Sequence, residues 1–378
     1  MTDFEYRNSI DDVIYLCSCA VNGTALEIER VESLNLENLY KVSKKHMLAA
    51  MVGIVLKDVG ISSHSFSDAI ALAQRKAVVL NNDIKNVTSV LDAAGIWYMP
   101  LKGTVLKDFY PRFAMREMAD CDILFDKTRD ADVKDLMEGL GFETKSFRKS
   151  NDDDYYKPPV SNFEMHRSLF GDHHDKELYQ YYKHVKDKLR KDPDNDYGYH
   201  FSPEDFYVFM IAHEFKHYNL GGTGLRSLLD TVAYLQKNAL DMEYVAAEID
   251  KLGITEFEQH NRELAISLFS GEKLSEQNQA MFDYIIESGV FGTTKHSVEN
   301  KLRKNGDGKL KYLKRRVFGP SKGDQDRKQF ERRYAIFFRC KILLPFLPLY
   351  RFFSAMKINP KRIKSEMDAL RKTIETPY

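Results

Sequence analysis

The chain has 378 residues, long enough for two or three domains and a sizeable buried core. Lysine plus arginine and aspartate plus glutamate stand equal at 56 each, so the whole molecule lacks the field of a nucleic-acid binder and any basic surface must be regional. Four cysteines, at 17, 19, 121 and 340, make neither a paired framework nor a metal-ligand spacing, and the acidic start MTDFEYRNSIDDV is unlike a secretory signal, so a reducing cytoplasm is expected.

Apolar residues recur at three and four spacing through LYKVSKKHMLAAMVGIVL and SFSDAIALAQRKAVVLNNDIKNVTSVLDAAG, which predicts helices up to about Ala94 with Gly95 as the stop. IWYMPL then reads as a short buried strand ending in a sharp turn at Lys102-Gly103. TVLKDFY gives a helical turn or two, closed by Pro111. A second strand is expected in ADCDILFD, an amphipathic helix in RDADVKDLMEGLGF and a third strand in FETKSF. The polar NDDDYYKPP reads as a connection into a fourth strand, VSNFEMHRSLF.

From there the chain turns helical. SPEDFYVFMIAHEFKHYN opens with Ser202 as cap, Pro203 at the first helical position, and Glu204 and Asp205 in the first turn. The glycine-rich GGTG, the helix LRSLLDTVAYLQKNAL and more helices to about residue 290 follow. The expected class is α+β: residues 1–175 hold N-terminal helices and a small mixed-sheet core, and residues 176–378 a mostly helical domain.

Residues 301–333 carry thirteen lysines and arginines against four acids and are expected to be a solvated surface segment, with a polyanion or an anionic membrane as the second reading. YAIFFRCKILLPFLPLYRFF, Tyr334 to Phe353, nearly reaches the length of a membrane span. Arg339, Lys341, Arg351, Pro345 and Pro348 interrupt it, so it is expected to pack over a domain core, an interfacial place on a membrane being the alternative.

Asp120 and Asp122 stand two apart at a strand start, so both side chains leave the same face, roughly 6 to 7 Å apart at the backbone. Like charges brought to about 4 Å repel by several kcal/mol at an effective dielectric near 20, so carboxylates placed together call for a cation. Oxygen ligands favour Mg²⁺ or Mn²⁺, and Mg²⁺ shares its shell with phosphates, which suggests a nucleotide. Glu164, an acid inside the apolar NFEMHRSL, would complete such a site. The turn after MPLKG presents Gly103 and the helix start at Thr104 to a phosphate. Lys102 and Arg116 are candidates to neutralise it, each also readable as a flanking or loop residue. His166 is ambiguous between strand packing and a polar contact in the site.

The segment HEFKH offers a rival. His213 and His217, with Glu214, have the spacing of a zinc peptidase. Its longer form fails, because Leu220 and Thr223 stand where glycine and histidine belong, and Lys216 puts a cation between the ligands. Glu243 or Glu248 would have to be the third ligand. Histidines of a core or cleft wall are the favoured reading.

The run MPLKGTVLKDFYPRFAMREMADCDILF resembles the signature of an uncharacterised bacterial nucleotidyltransferase family within the DNA polymerase β-like superfamily: LKG, Tyr-Pro, then Arg-x-Met-x-Asp-x-Asp and an apolar tail. The similarity runs through GLGF, EMH, the His213/His217 helix and LRSLLD, and covers most of residues 40–235. Thr104 stands where the wider superfamily most often has serine, and keeps the hydroxyl. The resemblance implies a nucleotidyltransferase core, Gly103 and Thr104 on the phosphate turn, and Asp120, Asp122 and Glu164 on Mg²⁺ or Mn²⁺. It further implies transfer of a nucleotide from an NTP to an acceptor hydroxyl. The acceptor is left open; the family's frequent setting beside polysaccharide-synthesis genes points to a sugar or lipid-linked glycan. A non-catalytic nucleotide-binding regulator on the same fold is the second reading, and the zinc peptidase the third.

Overall fold

The computed structural model describes residues 1–172, 176–305, 309–321, 327–358, 365–366, 368 and 370. Helix α1 (Asp3–Asn22) begins in a capping box: the Thr2 hydroxyl accepts the Glu5 amide, and the Glu5 carboxylate accepts the Thr2 amide. Helices α2 (Ile28–Glu32), α3 (Leu36–Lys45) and α4 (Ala49–Asp58) follow, then the 30-residue α5 (His64–Ala93), capped by Ser63. Gly95, at φ 65°, ends it as the sequence predicts.

Five strands then form one mixed sheet in the order β1 (Tyr98–Pro100), β2 (Cys121–Phe125), β5 (Ser161–His166), β4 (Asp152–Lys157) and β3 (Glu143–Ser146). The central pair β2–β5 is parallel and the other pairs are antiparallel. Short α6 (Gly103–Leu106) and α7 (Asp130–Gly139) connect them. One expectation needs correction, since NDDDYYKPP is not a connection but contributes β4. Its alternation is real although its residues are acidic: Asp153 and Tyr155 are fully buried on one face while Asp152 and Asp154 take the other. Asp153 survives there because its carboxylate accepts the Arg148 amide at 2.5 Å and meets Arg167 at 3.4 Å.

The sheet has two unlike faces. Cys121, Ile123, Phe125, Tyr155, Phe163 and Met165 form an apolar core with α5 and α7. Buried Asp83 of α5 pins that contact by accepting from Lys157 and Ser161. On the other face Leu124 joins a second core with α8 (Lys176–Tyr182), α9 (Pro203–Leu220), α10 (Leu225–Lys237) and α11 (Met242–Lys251). A third core unites α1, α3 and α4 with α10, α12 (Thr255–Ser270) and α13 (Glu276–Ser288). Helix α9 starts as its sequence predicts, with the Ser202 hydroxyl accepting the Asp205 amide and Pro203 inside the first turn. Beyond α14 (Thr294–Asn305) come α15 (Lys309–Phe318), α16 (Arg327–Arg333), α17 (Ala335–Arg339) and α18 (Leu347–Ile358). The stretch 334–353 does not pack over a core: Leu347 is buried, yet Ile336, Ile342, Phe346, Leu349, Phe352 and Phe353 are more than half exposed. Its prolines help break it into short pieces that share no single buried stripe. No helix among the described residues is long and apolar enough to cross a membrane.

A buried clasp fixes the loop ahead of β2. Arg116 donates through Nε and Nη2 to Asp230 of α10, both at 2.8 Å, and the Tyr110 hydroxyl donates to the same carboxylate at 2.7 Å. Both partners of the ion pair are under a tenth exposed. Removing the anion strands a buried guanidinium, so Asp230→Ala is expected to cost about 3–5 kcal/mol of unfolding free energy in urea titrations, and a loss below about 1 kcal/mol would contradict the clasp.

Candidate active site

Register brings the acids together. In the parallel β2–β5 pairing Asp122 stands directly opposite Glu164, and across β5–β4 Glu164 stands opposite Asp154. Three acidic side chains therefore share one row of one sheet face, where like charges destabilise. Two groups of ligand atoms result, each with all members within 4.8 Å of one another: Asp122, Glu164 and His166, and Asp152, Asp154 and Glu164. Asp120 precedes β2 and is half-buried outside these two groups; burial and the Asp122 charge raise its carboxyl.

Lys102 is the internal counter-charge. Its ammonium donates to Asp122 Oδ1 at 2.5 Å and lies 3.9 Å from Glu164 Oε2. His166 Nε2 is 2.9 Å from the same Asp122 oxygen and 3.6 Å from Glu164, which settles the ambiguity over His166 in favour of a polar contact in the site. Burial works against every charge here, but the lysine and histidine outweigh it at Asp122 and hold that carboxyl well below its usual range. Glu164 has the weaker partners, and burial followed by the Asp122 charge pushes it up to about 8. Burial also opposes the Lys102 charge, yet Asp122 and Glu164 keep its ammonium above the ordinary range.

The turn that delivers Lys102 differs from the expected one. The left-handed residue is Lys102 itself, at φ 44° and ψ −121°, a conformation that costs a β-carbon-bearing residue about 1–3 kcal/mol. Gly103 is required for another reason: a Cβ there would come within 2.5 Å of Arg116 Nη1. The amides of Thr104, Val105 and Leu106 are spent on the carbonyls of Leu101 and Lys102, so they do not face a phosphate. What the turn offers instead is the Lys102 ammonium and the Thr104 hydroxyl, whose Oγ1 is buried with no partner among the described residues.

HEFKH stands over this face but is not arranged as a peptidase. His213 and His217 meet Nε2 to Nε2 at 3.1 Å. Burial, then the nearby Lys102, keeps the His213 imidazole far below its ordinary range and hence neutral. Glu214 leaves the helix on another side, where Asn261 of α12 donates to it at 3.2 Å and burial raises its carboxyl to about 7. Glu248 is engaged with Lys188, Tyr181 and Lys251, and Glu243 is exposed. No group of three ligand side chains among the described residues includes the histidine pair. Asp152 and Asp154 escaped sequence reasoning; the register of β4 against β5 is the signal that was missing.

A small mixed sheet that gathers carboxylates beside a turn bearing a lysine and a free hydroxyl is the layout of an enzyme that transfers nucleotidyl groups. The family model described as uncharacterised nucleotidyltransferase matches residues 32–270, and the chain belongs to that family. No curated protein and no solved structure matches it. The chain is thus a nucleotidyltransferase, with an NTP as its substrate.

Glu164 makes the cation-free protein pH-sensitive. Its folded-state value near 8 lies above the ordinary 4.5, so the fold favours the protonated form; that stability is complete below about pH 4.5 and is lost as pH rises through 8. In EDTA, urea titrations between pH 5 and 8.5 are expected to show the stability of the parent relative to Glu164→Gln falling as pH rises, whatever slope the other groups give both proteins. Parallel slopes would contradict the assignment.

Proposed function

We propose that this chain transfers a nucleoside monophosphate from an NTP to an acceptor hydroxyl, with Asp120, Asp122 and Glu164 holding Mg²⁺ or Mn²⁺. The observation that carries this reading is the Asp122–Glu164 register pair, two carboxylates set side by side with the Lys102 ammonium as their counter-charge. The donors fit a hard divalent cation, being oxygen-rich, and the Thr104 hydroxyl, without a partner among the described residues, is a candidate donor to a phosphate oxygen. A bound cation would offset the phosphate charge and lower the pKa of the acceptor hydroxyl.

Each residue then has a task. Asp122 and Glu164 supply charge that in the free protein is met by Lys102 and by a proton, respectively. Asp120, two residues upstream on the same side of the chain, completes the acidic trio. Lys102, which meets the Asp122 charge in the free protein, is the cation nearest that carboxylate and would be a donor to the phosphates once a metal ion neutralised Asp122. Gly103 keeps the turn open, and Arg116, fixed through Asp230, holds Nη1 against it as a further donor. His213 and His217 form the neutral wall of the cleft. The acceptor oxygen bonds to the α-phosphorus, pyrophosphate departs, and the hydroxyl proton passes to solvent. A sugar or lipid-linked glycan is the acceptor class proposed.

A division near residue 175 separates the sheet that holds the acids from the helices that cover it, while α1, α3 and α4 bridge the two through the core they share with α10, α12 and α13. Purified protein, the four NTPs labelled at the α-phosphate and cell lysate as acceptor source provide the assay. Asp120→Asn, Asp122→Asn and Glu164→Gln are each expected to lower label transfer by at least about 100-fold without loss of fold. An Asp122→Asn protein that kept more than about a tenth of the parent rate would remove the carboxylates from the reaction.

A further inference from the structure

Among the described residues, the C-terminal helices leave large apolar side chains exposed. Ile342 is 80% exposed, Ile336 72%, Phe353 66% and Phe346 57%, values high for side chains of this size in one stretch of twenty residues. Arg351 extends the surface, because its Nη1 donates to the Val317 carbonyl at 2.9 Å and so draws the end of α15, with Phe318 62% exposed, to α18. The same guanidinium lies 4.8 Å from the Phe330 ring centre and 5.7 Å from that of Tyr334, so α16 joins the assembly.

Charge decides what this surface fits. Residues 327–358 contain eight lysines and arginines and a single acid, Glu331. That acid is paired with Arg327 at 2.6 Å, and Glu366, which reaches the neighbouring α15, is paired with Arg316 at 2.9 Å. Lys314, Arg333 and Arg339 are exposed in the same part of the chain. Exposed apolar side chains interspersed with exposed cations, in pieces too short and too interrupted to span, are the chemistry that lies in the headgroup layer of an anionic bilayer. A second copy of this chain would bring like charges into contact, which disfavours a self-interface.

We propose that the described residues of 314–321 and 327–353 dock the protein on the surface of an anionic membrane, with Phe346, Phe352 and Phe353 entering the acyl boundary and Lys314, Arg333 and Arg339 meeting lipid phosphates. The inference stands on exposure and charge and is independent of the catalytic reading.

Full-length protein is to be sedimented with 100 nm vesicles of phosphatidylcholine alone or with 30% phosphatidylglycerol. The expected result is binding to the anionic vesicles at least about tenfold stronger than to neutral ones, weakening as salt is raised from 50 to 500 mM. The triple change Phe346→Ser, Phe352→Ser, Phe353→Ser is expected to abolish binding, and Lys314→Ser, Arg333→Ser, Arg339→Ser to erase the preference for anionic lipid. All six side chains are exposed, and circular dichroism with thermal melting checks that each variant keeps the parent fold. Absence of binding to either vesicle, equal binding to both, or an unchanged phenylalanine variant would overturn the proposal. So would sedimentation equilibrium showing a parent dimer that the phenylalanine variant loses, since the surface would then be covered by a second copy.

Discussion

The contact between Lys102 and Asp122 is the constraint on which the rest of the site depends. Asp122 and Glu164 are forced opposite each other by strand register, and a low-dielectric sheet face cannot hold two bare carboxylates at that spacing. The lysine resolves the conflict from within, at the expense of a strained backbone at its own position. A lysine paired to one acid, a second acid whose carboxyl is pushed up, and the Thr104 hydroxyl without a partner among the described residues make a buried acidic cluster that could hold a metal ion.

The surrounding structure keeps that arrangement in place. The apolar underside of the sheet, packed on α5 and α7, sets the register, and one residue of slippage would move Asp122 and Glu164 into the apolar core. Arg116 links the other side: it is tied to Asp230 of α10 and abuts Gly103, so the helical half of the molecule reports directly on the position of the turn. The same geometry explains HEFKH. Four-residue spacing puts both imidazoles on one helix face over the sheet, and the adjacent Glu214 necessarily points elsewhere, into the packing against α12.

Much of this was legible from residues. Helix α9 was readable because Ser202, Pro203, Glu204 and Asp205 solve the unpaired-amide problem in a recognisable order. That Asp122 and Glu164 come together was legible, because Glu164, an acid inside an apolar strand, needs a reason to be there. Strand β4 was not, since acidic residues conceal the alternation and its buried Asp153 is stabilised by Arg148 and Arg167 through tertiary contacts. Nor was the partner of Arg116, because Asp230 lies 114 positions along the chain and only the packing of α10 brings them together. The positive φ at Lys102 was not legible, as glycine is the usual occupant of such a conformation. The exposed C-terminal apolar face was misjudged because an apolar composition reads as core unless the helix faces are known.

Whether the acidic row is a cation site is decided most directly by manganese binding, followed as loss of the free Mn²⁺ signal in electron paramagnetic resonance, with NTP present, for the parent and for Asp122→Asn. The expected result is that the parent with NTP removes at least one Mn²⁺ per chain beyond what NTP alone removes, and that Asp122→Asn removes none. Equal Mn²⁺ binding by the two proteins would contradict the assignment and place the cation away from the β2–β5 carboxylates.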